Sequence, residues 1–301
     1  MDDHDLGLGH DLRVMSRRRM LGALGIAGVA AAAAACATDS GSTATTSSSP
    51  STLPAAAPGE TAGPYPGDGS NGPNVLIESG VVRSDITGSF GAYSGTAEGV
   101  PMTLTLNLVD LTTGAVGAGL AVYVWHCDRE GRYSLYSEGV TDQNYLRGVQ
   151  VADDTGTVEF TSIFPACYTG RWPHIHFEVY DSLSTAVAGD NARLTSQIAL
   201  PQDACEAVFA ADSGYAASTR NMSGVTLSSD NVFGDGWDAE LATVTGTPAT
   251  GMGVSLTIGV AEKSQNTQSD SGFPGQPPGG QGGPPSGGPG DEPPSGGRPP
   301  R

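Results

Sequence analysis

Apolar and polar positions alternate with a period of two along seven stretches: 102–110 (MTLTLNLVD), 120–127 (LAVYVWHC), 157–163 (TVEFTSI), 174–180 (HIHFEVY), 195–200 (TSQIAL), 239–246 (AELATVTG) and 253–260 (GVSLTIGV). Gly, Asp and Pro separate them. Successive side chains of a strand point to opposite faces. The pattern therefore predicts an all-β protein, an antiparallel β-sandwich with long loops and little helix. Only 201–212 (PQDACEAVFAAD) reads as a helical turn or two. There is no internal repeat and no Gly-rich phosphate loop between a strand and a helix.

In the stretch 174–180 the alternation sends Ile175, Phe177 and Val179 to one face and His174, His176, Glu178 and Tyr180 to the other. The first set belongs to a core. Two imidazoles two residues apart on one face can converge on a single ion, although H-x-H alone also fits ordinary strand decoration.

Charge narrows the function classes. With 32 Asp and Glu against 14 Lys and Arg, the chain carries a formal charge of -18. Such a field repels nucleic-acid backbones and anionic membrane surfaces, so a nucleic-acid partner is not expected. Lone arginines near candidate sites gain interest by the same argument.

The two ends differ from the middle. Ser16-Arg17-Arg18-Arg19 precedes an apolar run from Leu21 to Ala35, the layout of an export signal, and the paired arginines resemble a twin-arginine signal. The run is short and Ala/Gly-rich beside the roughly 20 apolar residues of a membrane span. It ends in Ala33-Ala34-Ala35-Cys36, similar to a lipoprotein cleavage box. Lipidation at Cys36 would be the chain's one membrane attachment, and a plain cleaved signal is the alternative. Four segments follow: an export signal over 1–36, a flexible linker over 37–58, a folded domain over 59–262 and a Pro/Gly-rich tail over 263–301 with no apolar periodicity. The expected location is extracellular, or anchored to the outer face of the cell membrane. Within the folded domain, Cys127, Cys167 and Cys205 allow one disulfide and leave an odd thiol. The pairing and the oligomeric state are not encoded legibly.

Four metal sites compete around the His pair. Zinc held by Cys127, Cys167, His174 and His176 is chemically admissible but lacks a C-x-x-C spacing. A cupin-type site needs a later His, and none follows His176. A three-His site could recruit His126, which ends an apolar strand and also reads as a structural, hydrogen-bonded histidine. The fourth uses Tyr133 and Tyr168. Phenolate is a hard anionic ligand suited to ferric iron, whose charge lowers a phenol pKa that is normally about 10. Both tyrosines also fit as buried turn residues.

The stretches VWHCDREGRYSLY (124–136) and DQNYLRGVQVADDTGTVEFTSIFPACYTGRWPHIHFEVY (142–180) resemble the intradiol ring-cleavage dioxygenases, the family of catechol and protocatechuate 3,4-dioxygenases. The likeness runs from about Gly63 to Val260 and includes ETAGPYPGDG (60–69) and RSDI (83–86). Four elements occur in the family's order: G-R-Y, a Tyr after a Pro-containing turn, an Arg three residues before the first His, and H-x-H.

The resemblance implies a non-haem ferric ion held by Tyr133, Tyr168, His174 and His176. Tyr168 and His176 match the family's axial ligands, and Tyr133 and His174 the equatorial ones. Tyr168 would double as a base, Arg171 would steady negative charge on bound substrate, and Tyr65 would line the pocket. The implied reaction is oxidoreductase chemistry of aromatic catabolism. A catechol-type diol is cleaved by O2 between its hydroxylated carbons to a cis,cis-muconate-type diacid. Only Thr169 and Gly170 separate Tyr168 from Arg171, where protocatechuate enzymes carry a longer loop, and the catechol enzymes' helical dimerisation segment has no counterpart. The chain looks like the family's exported, single-chain branch, and neither group dictates its catechol. Two blander expectations stand beside this: a catalytically silent, surface-anchored β-sandwich, and Arg171 as a surface ion pair contributing less than about 1 kcal/mol.

Overall fold

The computed structural model describes residues 53–265, except 190. The export signal, Cys36, most of the linker and nearly all of the tail lie outside the described residues, which fall within one compact unit.

Among the described residues nine strands make two sheets. β1 (Pro101–Asp110), β2 (Ala115–Val116), β5 (Thr157–Ile163), β8 (Thr243–Thr247) and β9 (Gly251–Val260) form the first, ordered β2-β1-β9-β8, with β5 also on β1. β3 (Ala121–Trp125), β4 (Arg147–Val151), β6 (His174–Tyr180) and β7 (Leu194–Ala199) form the second, ordered β4-β3-β6-β7. The alternation does what period two requires. β1 buries Met102, Leu104, Leu106 and Leu108 and turns Thr103 outward, and these leucines share one core with Val122, Val124, Ile175, Phe177 and Val179 of the other sheet.

The all-β sandwich with little helix is as the sequence pattern predicts, and four details differ from it. The pairing is antiparallel except between β1 and β9, which run parallel from Met102↔Met252 to Asp110↔Val260. β4 was not visible as a strand, because it opens with a buried Arg and a Gly where strand formers are the usual signal. Two short helices join α2 (Gln202–Ala211): α1 (Leu183–Ala188), capped by Ser182 with a Thr185 capping box, and α3 (Ala216–Met222). Finally, Cys127, Cys167 and Cys205 are all free and buried, so no disulfide forms among the described residues.

The second face of β6 is also covered. His174, His176, Glu178 and Tyr180 are each 5 % exposed or less. Over them runs a strap, residues 60–67, fixed by main-chain groups. Glu60 N donates to Thr195 O, Gln197 Nε2 to Thr61 O and Tyr123 Oη to Pro66 O. Before the strap, Ala56 bridges Gly259 of β9 in parallel, so the segment read as a linker is already paired there.

Candidate metal centre

Tyr133 sits in the long loop between β3 and β4, and Tyr168 in the loop between β5 and β6. The second loop closes in a tight turn in which Arg171 N donates to Tyr168 O, with Gly170 at φ +84°, a conformation glycine adopts without strain. This turn brings Tyr168 and Arg171 to one side of the His pair.

Four donor atoms converge. Tyr133 Oη lies 3.1 Å from His176 Nε2 and 3.4 Å from His174 Nε2, Tyr168 Oη lies 3.2 Å from His174 Nε2, and the two Nε2 atoms are 3.2 Å apart. Donors each about 2.1 Å from a common centre stand about 3.0–3.4 Å apart, so these spacings fit one enclosed ion. Tautomer chemistry agrees. His174 Nδ1 must donate to the Trp172 carbonyl at 2.5 Å, which leaves a lone pair on Nε2 directed at its neighbours. His176 stacks on Trp125, with centroids 4.9 Å apart and planes 5° from parallel.

Burial sets the proton inventory. It is the largest cause holding both histidines well below the usual imidazole range, with Arg171 next, so they are neutral and free to ligate. Burial likewise pushes the Tyr168 phenol up to about 12 against the opposing pull of Arg171, and raises Tyr133 well above its ordinary value, with Tyr168 adding to the rise. Two neutral imidazoles and two protonated phenols become a dianionic ligand set only if a cation displaces the phenol protons.

The strap completes the enclosure. Gly63, at φ +69°, passes so close that a Cβ there would lie 3.3 Å from His176 Cε1. Tyr65, 37 % exposed, packs on Tyr133 at 5.0 Å and on Tyr136 at 5.2 Å between centroids, which puts it at the rim. Arg171 does form an ion pair, but not at the surface. Its Nε lies 3.0 Å from Asp230 Oδ2, with the two side chains 11 % and 0 % exposed. Its Nη2 donates to Gln197 Oε1 at 2.6 Å. Asp230 is itself held by the N–H groups of Trp172, Val232 and Phe233. Gln197 and Asp230 escaped the sequence reading. Gln197 left a faint signal, a polar residue facing His176 across two apolar strands; Asp230 reads as one more turn aspartate.

The rival sites do not assemble. Among the described residues no three His, Cys, Asp or Glu side chains gather as a metal site. Cys127 Sγ donates to Ala166 O and Cys167 Sγ to Arg171 O. His126 donates from Nδ1 to Cys127 O and accepts from Ser162 at Nε2, both at 2.8 Å, while burial lowers its pKa to about 4. A cavity of about 460 Å³ lined by Trp172, Phe209, Met222 and Val225 includes none of the four converging side chains. Gln202, Glu206 and Thr219 also line it, but it holds no His, Cys or Tyr, the donors that the Tyr/His cluster brings together.

Fold and cluster together define a β-sandwich with a two-tyrosine, two-histidine centre beside a buried arginine. A family model described as dioxygenase (Dioxygenase_C) matches residues 77–231, just over half of the chain. The chain belongs to the intradiol ring-cleavage dioxygenase family. It is similar to the chlorocatechol 1,2-dioxygenase of Rhodococcus opacus, 40 % identical over 57 residues, which are 19 % of this chain and 22 % of that protein. The match thus spans about a fifth of the curated relative. The fold is that of an intradiol ring-cleavage dioxygenase from Tetranychus urticae, with TM-score 0.55 and 24 % identity over 72 % of this chain and 98 % of the other. A second dioxygenase crystal structure is 25 % identical at TM-score 0.54, covering 69 % of this chain and 95 % of its own.

Proposed function

We propose that this chain is a non-haem Fe(III) intradiol dioxygenase that cleaves a catechol-type aromatic between its two hydroxylated carbons with O2, yielding a cis,cis-muconate-type diacid. The observation that carries the reading is the convergence of Tyr133 Oη, Tyr168 Oη, His174 Nε2 and His176 Nε2, which four contacts of 3.1–3.4 Å link into one cluster. Two hard phenolate oxygens and two imidazoles match ferric iron better than zinc, whose structural sites favour thiolate. Held there by Tyr133, Tyr168, His174 and His176, ferric iron would supply Lewis acidity toward a diol substrate and redox chemistry toward dioxygen.

The chain's own residues do the rest. Without a metal, burial pushes the Tyr168 phenol up to about 12, so a Tyr168 phenolate not bound to the ion would be basic enough to take a proton at Oη from a substrate hydroxyl. Arg171, clamped by Asp230 and Gln197, keeps further N–H donors for negative charge developing on the substrate, already oriented in a water-poor site. The strap and Tyr65 wall the site and hold solvent away. Labelled oxygen tests the reading. Iron-loaded protein supplied with catechol and 18O2 should form a diacid carrying label in both new carboxyl groups, with catechol and O2 consumed one to one. Iron-loaded protein that consumes neither would defeat it.

A further inference from the structure

Arg147 heads β4 and is 1 % exposed. Its Nε donates to Ser134 Oγ at 3.0 Å, and its Nη2 to Ser134 O and Tyr65 O, both at 3.0 Å. Its Nη1 donates to Pro66 O at 2.9 Å and Tyr123 Oη at 3.2 Å, and the guanidinium lies 5.5 Å from the centre of the Tyr136 ring. Every acceptor is an uncharged oxygen, and no carboxylate pairs with Arg147 among the described residues. A buried cation without a counter-ion is costly, so a role other than charge pairing must explain it.

The acceptors identify that role. Ser134 directly follows Tyr133, Tyr65 and Pro66 belong to the strap, and Tyr123 belongs to β3. One planar fork thus ties the loop carrying Tyr133 and the strap carrying Tyr65 to the second sheet. The backbone beside it is strained. Leu135 and Leu146 hold φ of +73° and +57°, a region that is costly for a non-glycine residue and persists only where the surroundings enforce it. They flank Ser134 and Arg147 directly. Ser134 Oγ relays the lock by donating to Tyr145 O at 2.7 Å, and Ser137 Oγ receives Tyr133 N at 2.9 Å.

We infer that Arg147 is a positioning residue of the proposed centre: it fixes the Tyr133 oxygen against the two histidines and holds the strap, with Tyr65, over the site. The inference rests on Tyr133 being a ligand. Lysine cannot replace it fully, because an ammonium keeps the charge but lacks the five-donor fork.

The test compares wild type, Tyr133→Phe, Arg147→Lys and Ser134→Ala after ferric loading. It reads iron per chain, the visible tyrosinate band, kcat and KM for catechol per bound iron, and melting temperature. Arg147→Lys should bind iron with its band displaced towards that of Tyr133→Phe. Its kcat per iron should fall roughly 10- to 100-fold, the scale of a misplaced reacting group, and its KM should rise as Tyr65 loosens. Ser134→Ala, which removes one acceptor, should move the same way by less, and it decides the matter if Arg147→Lys does not fold. A lowered melting temperature with wild-type band, kcat and KM in the folded protein would mean an ordinary structural arginine and overturn the inference. A wild-type protein without a tyrosinate band overturns both this inference and the ligand reading beneath it; a wild-type band with unaltered variants overturns this one alone.

Discussion

On one face of β6, Ile175, Phe177 and Val179 are at most 1 % exposed in the apolar core; on the other, His174, His176, Glu178 and Tyr180 are at most 5 % exposed beneath the strap. Burial is nearly equal and the physics differs. The apolar face is stabilised by area removed from water and by packing, neither of which depends on direction. The polar face depends instead on directed partners for its buried N and O atoms, of which His176 Nδ1 alone on this strand lacks a hydrogen bond. Tyr180 Oη donates to Glu178 Oε2 at 2.6 Å, Thr195 donates to Glu178 Oε1 at 3.0 Å, and the His pair turns to the two tyrosines. Fold stability and site chemistry are thus segregated on opposite sides of a single seven-residue strand.

That segregation breaks in opposite ways. Phe177→Ala should cost about 3–5 kcal/mol of folding stability through lost burial and a cavity, read by denaturant titration. The fraction that remains folded should bind a normal complement of iron. Loss of iron per folded chain would show that the two faces are coupled.

Tyr168→Phe is the reciprocal change, and it should slow turnover by at least about 100-fold, through loss of both a ligand and a base, while the melting curve of the metal-free protein barely moves. Near-unchanged turnover in the iron-loaded variant would assign the roles to another tyrosine.

The faces also differed in how far the sequence revealed them. Ile175, Phe177 and Val179 announce a core by period two, and H-x-H places two imidazoles on one face, because both signals are local, although ordinary strand decoration would look the same. The strap has no periodicity. It is ordered by hydrogen bonds such as Gln197 Nε2 to Thr61 O, between residues 136 positions apart, and such pairings leave no trace in a short window. Arg147 and Asp230 were hidden for the same reason, since a buried Arg serving carbonyls reads locally like any surface Arg. Tyr133 and Tyr168 stood among four competing ligand sets on their chemistry alone, and only the family's spaced motif singled them out, because each occupies a loop and no strand pattern marks it.

A smaller effect sharpens the comparison at the edge of the second sheet, beside β7. Burial, and then the neighbouring Glu60, raise the Glu240 carboxyl to about 9, and Ser196 Oγ donates to it at 3.4 Å. A carboxyl whose pKa is raised in the folded state contributes its full stability below the unfolded value, near 4.5, and loses it progressively as pH climbs towards 9. Glu240→Gln, which cannot ionise, should therefore raise the melting temperature by a few degrees at pH 8 and by little at pH 4.5. An equal gain at both pH values would mean that ionisation is not the cause.

The central claim is that two tyrosinates and two histidines on the strap-covered side of the second sheet hold ferric iron. Metal analysis of the purified chain together with its visible spectrum tests this most directly. The account predicts one iron per chain and an intense visible tyrosinate-to-iron band that disappears when the iron is removed and weakens in Tyr133→Phe and Tyr168→Phe. Stoichiometric zinc with no colour, or bound iron whose spectrum is indifferent to both substitutions, would contradict it.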